Sequence, residues 1–193
     1  MSPQRSNRAR LIEGTLRCLE RLPPEQVTAR VIAAESGANL ASITYHFGSK
    51  ENLVTAAVIE GLDRWLAAVA RSLDELPAGS PAERLQHAAA AVDESRHRHL
   101  GLARNFVSAV AMAQHDAQLR RLLADGFRRA RVNVAAIVEL GDDVVSSDAG
   151  ALVLAMFHGL LLQQVLDPDL GLEGDRLTRA LARLRTALPG ESP

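Results

Sequence analysis

The chain has a single cysteine, Cys18, which excludes an internal disulfide and any cysteine-based zinc site. A small apolar residue in a helix accounts for it. Aromatic residues are scarce, at 3% of 193 positions. Valine and isoleucine are scattered rather than alternating in runs, so strands have little support. Lysine is nearly missing: Lys50 is the only one, and every other cationic side chain is arginine. Residues 1–10 are polar and basic with no apolar run behind them, so no secretion signal is read there. The most apolar stretch, Ala149 to Leu162, contains His158 and is too short to span a bilayer. It reads as a buried helix, and the protein as cytoplasmic with no membrane partner. Gly-rich phosphate loops, nucleophile motifs and Cys–His pairs are also lacking. Glu94-x-x-His97 has a di-iron spacing, but no second Glu-x-x-His completes such a site. The expectation is a non-enzyme with no metal and no cofactor.

What is abundant is alanine, leucine and arginine, all good helix formers. Hydrophobic content of 47% with 23% charged residues is ordinary for a soluble globular protein. A first helix from about Arg8 to Leu22 carries Ile12, Leu16 and Leu19 on one face, and Pro23-Pro24 ends it. Thr28 can cap a short second helix closed by Gly37, and Asn39 a third from Leu40 to Phe47, closed by Gly48. Ser49 can cap a fourth, whose stripe Val58, Leu62, Trp65, Val69, Leu73, Leu76 keeps helical spacing. Ser80-Pro81-Ala82-Glu83 has capping-box spacing. Helices follow at about 81–96, 100–114, 117–140, 148–166 and 175–188. The fold class is all-α, about nine helices, with residues 1–52 as an N-terminal helix-turn-helix unit and 53–193 as a regulatory and dimerisation unit.

The charge is lopsided. Residues 1–50 hold seven Lys/Arg against four acids, and residues 51–193 hold fifteen against nineteen. A basic end on an acidic body points to an anionic partner at that end. Two short helices joined by a glycine turn over residues 28–47 have helix-turn-helix spacing. The second is polar on one side (Ser42, Thr44, Tyr45, His46) and leaves Ile43 and Phe47 for packing. Such a helix suits a major groove. The next helix starts beside Lys50 with free N–H groups and positive dipole character, which gives the lone lysine a role at an anion site.

The segment ITYHFGSKENL, residues 43–53, resembles the end of the DNA-binding domain of TetR-family transcriptional regulators. Residues 8–69 can be laid along that domain without a gap. The resemblance implies a homodimer on a near-palindromic double-stranded DNA operator, usually a repressor released by a small-molecule effector. By position it implies phosphate contacts at Tyr45, His46, Lys50 and the capping Thr28. It implies base or adjoining backbone contacts at Arg30, Leu40, Ala41, Ser42 and Thr44, and the capping Asn39 is counted with them as a DNA-binding residue. Two positions depart from the pattern. Thr44 stands where tyrosine is frequent, and Leu40 is apolar where polar base readers often sit.

Past the fourth helix the resemblance weakens, except that residues 156–170 are similar to the eighth helix and following turn of many members. There the last two helices pair with their copies. Two apolar stripes fit that role: Leu154, Phe157, Leu161 and Val165, then Leu177, Leu181, Leu184 and Leu188. Candidate pocket residues are Trp65, His97, Phe106, Met112, Phe127 and Phe157. The other reading is a helical ligand-binding or scaffold protein without specific operator binding, and duplex binding at near-physiological salt separates the two.

Overall fold

Side-chain oxygens and glycines fix where the helices begin and end. The computed structural model describes residues 3–77, 79–172 and 174–187, with side chains at all of these except 3–6, 96, 97, 185 and 187. Among the described residues there are nine α-helices and no strand: α1 (Pro3–Arg21), α2 (Ala29–Ser36), α3 (Ala41–Phe47), α4 (Lys50–Asp74), α5 (Pro81–Ser95), α6 (Leu100–Ala113), α7 (Ala117–Ile137), α8 (Val144–Leu166) and α9 (Gly174–Ala187). Thr28 Oγ1 accepts from the Val31 N–H at 3.3 Å, and Ser49 Oγ from that of Asn52 at 3.0 Å. The Ser80–Glu83 capping box forms in both directions, with Glu83 N–H to Ser80 Oγ at 3.3 Å and Ser80 N–H to Glu83 Oε2 at 2.7 Å.

Three boundaries differ from the sequence reading. α1 starts at Pro3 rather than near Arg8, with proline at its first position, where its missing N–H costs nothing. α7 stops at Ile137 rather than 140, because Glu139 turns to φ 56° and Leu140 N–H closes on Ala135 O at 2.9 Å. α8 starts at Val144 rather than 148, because Asp143 caps it by accepting from Ser146 N–H at 2.7 Å. With those added residues α8 is 23 long, enough by length and composition to cross a bilayer. That corrects the reading of its apolar stretch as too short. In this fold α8 packs along α7 and buries Ser146, Gly150 and Gln164 with Leu154 and Leu161.

The expected division at residue 52 falls inside α4, which runs through it unbroken. The core is continuous there too. Leu11 and Leu19 of α1, Ile32 of α2, and Ile43 and Phe47 of α3 pack with Leu53 and Val58 of α4. The same cluster takes in Leu102 and Phe106 of α6 and Leu119 and Leu123 of α7. Burying each such side chain stabilises the fold by about 1.5–3 kcal/mol. α4 and α6 therefore belong to both ends of the molecule.

Candidate nucleic-acid interface and ligand pocket

The N-terminal surface is built on α1. Arg17 and Arg21 both pair with Glu35 of α2 and hold its carboxyl below the usual carboxylate range. Arg10 donates to Ser36 O at 3.2 Å and to Gly37 O, which locks the turn between α2 and α3. Gly37 sits at φ 60°, a left-handed conformation that other residues reach only with strain. From that turn Asn39 Oδ1 accepts the Ala41 N–H at 3.0 Å, so Asn39 helps to start α3 as its spacing predicts.

α3 is a helix of seven residues that spends Ile43 and Phe47 on the core. Its other side is open: Tyr45 is 71% exposed and Leu40, at its entry, 45% exposed. Ala41 and Thr44 are exposed, while Ser42 and His46 are half-buried. Arg30 and Thr28 are exposed on the adjoining α2 end. Gly48 then bends the chain, Asn52 Nδ2 donates to Phe47 O at 2.8 Å, and α4 begins at Lys50. Lys50 Nζ lies 3.3 Å from Glu51 Oε1, a partly exposed pair that a phosphate can displace cheaply. The sequence reading missed Arg8 and Arg10. Arg8 lies over the Phe47 ring at 5.2 Å, and Arg10 holds the turn. Neither had a sequence signal, because their partners lie far along the chain.

The second site is a partly open cavity of about 120 Å³ between α4, α5, α6, α7 and α8, with Leu172 and Leu177 at one side. Of the candidate pocket residues, Trp65, Phe106, Phe127 and Phe157 line it. The Trp65 indole N–H donates to Ser95 Oγ at 2.7 Å, which fixes the ring. Among the lining residues that the sequence reading did not name, two bear on the chemistry of the cavity. His158 stacks on Phe106 at 4.8 Å between centroids and meets Phe127 edge-on at 5.1 Å. Burial lowers its pKa from 6.5 to about 4, so the ring is neutral at pH 7. Gln164 is the other, 5% exposed, with its Oε1 buried and without a hydrogen bond. Met112 is not among the lining residues; it packs against the N-terminal core. The His97 side chain lies outside the described residues.

The residues expected to pair two copies divide between the inside of this chain and its surface. Leu154, Phe157, Leu161 and Leu177 line this chain's own cavity, while Val165 and Leu181 are half-buried and Leu184 is 53% exposed. Leu188 lies outside the described residues. The outward side of α8 carries Leu152 (75% exposed), Leu162 (43%) and Leu166 (72%), with Ala155 and Gly159 between them.

Comparison with known proteins decides what this arrangement is. Residues 11–57 match the family model of bacterial regulatory proteins of the tetR family, and residues 81–189 that of the C-terminal part of BetI-type transcriptional repressors. The chain belongs to the TetR family. A curated relative, the HTH-type transcriptional regulator BetI of Vibrio campbellii, is 24% identical over 119 residues, 62% of this chain and 60% of that protein. The match thus spans less than two thirds of the relative. Among solved structures, the multidrug binding protein EbrR, complexed with imidazole, superposes with a TM-score of 0.65 at 21% identity, covering 100% of this chain and 94% of that one. A transcriptional regulator from Saccharomonospora viridis in complex with choline gives 0.56 at 20% identity, covering 83% and 85%. At those identities the superpositions establish the fold. As a TetR-family member the chain is a transcriptional regulator and not an enzyme, with a helix-turn-helix at residues 28–47 and a helical C-terminal domain.

Proposed function

We propose that the chain is a cytoplasmic homodimeric repressor of a near-palindromic operator, released when a small molecule fills the cavity. The observation that carries this reading is that α4 and α6 are shared by both sites. α4 has Lys50 at its first turn and Trp65 in the cavity wall. α6 presses Gly101 on the backbone of α1 and carries Phe106 into the cavity. A ligand that moves Phe106 therefore pushes on the element that supports α2 and α3. Tyr45, His46, Lys50 and Thr28 are assigned to phosphates, and Arg30, Leu40, Ala41, Ser42 and Thr44 to bases or adjoining backbone, with Asn39 holding the start of α3.

The dimer face is assigned to the outer stripe Leu152, Ala155, Gly159, Leu162 and Leu166 of α8, together with Leu184 of α9. The spacing of four and three alternates along α8, as in a packed helix pair. Three leucines left this open to water make a patch of the kind that marks an interaction site. A twofold dimer would place the two α3 helices in successive major grooves, about 34 Å apart.

Selection of bound duplexes from random sequence tests the reading. The expected product is a site with two inverted half-sites, bound at near-physiological salt well above a scrambled duplex. Equal affinity for selected and scrambled DNA would favour the ligand-binding scaffold instead.

A further inference from the structure

On the reading that the cavity is the effector site, we propose that its ligand is an uncharged, mostly apolar molecule whose single hydroxyl-type donor is received by the Gln164 carboxamide. Gln164 stands where the inner stripe of α8 should continue: 154, 157 and 161 are apolar and line the cavity, and 164 is a glutamine. Its side chain is 5% exposed and Oε1 has no hydrogen-bond partner. A buried acceptor left unmet is costly, so native chains keep few of them. A donor arriving with the ligand meets this one.

The lining also argues against charge. Neither arginine nor lysine lines the cavity among the described residues, so an anion finds no counter-ion. The two carboxylates of the lining are engaged: Asp63 pairs with Arg129 at 3.5 Å, and Asp93 Oδ2 accepts from the Gly174 N–H at 3.0 Å. His158 covers a face of Phe106, and the Trp65 ring abuts His99 at 4.6 Å between centroids, so these two rings offer a cation less than their full surface. The rest of the wall is aliphatic apart from Phe127, which meets His158 edge-on, and Phe157. At about 120 Å³ the cavity is close in size to one of about 150 Å³ that holds a single benzene ring, and it is open along part of its wall, so a longer chain would extend through that opening.

Four probes with an eight-carbon chain separate the possibilities: 1-octanol, 1-methoxyoctane, octanoate and octyltrimethylammonium. Trp65 is the only tryptophan and lines the cavity, so its fluorescence reports binding directly. The wild type should bind octanol about tenfold more tightly than each of the others, the order of one well-made hydrogen bond. In Gln164→Met, an unbranched apolar replacement, octanol should weaken by about tenfold while methoxyoctane stays within twofold. Should that variant fold poorly, the wild-type ranking still decides. The proposal is overturned if a charged probe binds as tightly as octanol, or if Gln164→Met weakens alcohol and ether alike. Those outcomes leave the effector site standing. If no probe alters Trp65 fluorescence or competes at the cavity, the effector-site reading fails and takes this one with it.

Discussion

Gly101→Ala tests the route by which the cavity is read at the DNA. Gly101 lies in the first turn of α6, where the helix crosses the end of α1. A Cβ at this position overlaps the Leu19 carbonyl oxygen, and lies 3.0 Å from the carbonyl carbon and 3.4 Å from Glu20 Cα. Carbon atoms in contact settle about 3.5–4.0 Å apart. The obstacle is helical backbone, which cannot rotate out of the way as a side chain can. α6 must therefore recede from α1 by at least about 0.5–1 Å, and overpacking of this kind costs about 1–3 kcal/mol. The same retreat should act on DNA binding, because α1 holds α2 through Arg17, Arg21 and Arg10. The variant should thus resemble the ligand-bound form without ligand, with operator affinity lower by a coupling of about 1–3 kcal/mol and a smaller further response to effector. Urea unfolding gives the stability, and anisotropy of a labelled selected duplex gives the affinity per folded dimer. Loss of stability with unchanged operator affinity would refute the coupling through α6 and α1, and no loss of either would refute the packing argument itself.

Three further outcomes are expected. Lys50→Ala should weaken selected and scrambled duplexes by similar factors and reduce the salt slope of log K by about 2 for a dimer, one phosphate contact per subunit; an unchanged slope removes Lys50 from the interface. Leu152→Glu with Leu162→Glu changes residues open to water in the single chain, so it should keep the fold and yield monomers in sedimentation, since charge enclosed at an interface costs several kcal/mol per ion; Leu161→Glu should instead damage folding, because that side chain is 8% exposed. His158 has a folded pKa lowered to about 4 from 6.5, so its stabilising share is present above pH 6.5 and lost as pH falls toward 4. Between pH 7.5 and 4.5 the wild type should lose about 2–3 kcal/mol more than His158→Phe, which keeps a ring against Phe106 but cannot titrate. Parallel pH curves for the two would mean that the ring is not buried as described.

The N-terminal part was legible because its signals are local. A cap, a glycine and a stop lie within a few residues of what they govern, and α3 has only two apolar residues to bury, so Ile43 and Phe47 fix its orientation and leave Tyr45 outside. The roles of Arg8 and Arg10 were hidden for the opposite reason. Arg10 reaches backbone oxygens 26 and 27 residues away, and an acceptor carbonyl leaves no mark in a sequence.

α8 shows the limit most clearly. Periodicity finds a buried face by contrast with a polar one, and α8 offers leucines on both sides: 154 and 161 inward, 152, 162 and 166 outward. Either stripe fits a dimer when read alone. The structure separates them, because the inward set already has partners in α4 to α7 and the cavity between them. Among the described residues the outward set has none that would explain three exposed leucines. The polar residues that break the inward stripe, His158 and Gln164, were the available clue. On a helix apolar all round, a buried imidazole and carboxamide need a neighbour that tolerates them, and a ligand cavity is such a neighbour. The same two residues thus mark the inner face of α8 and the chemistry of what it faces, whatever the outer leucines pair with.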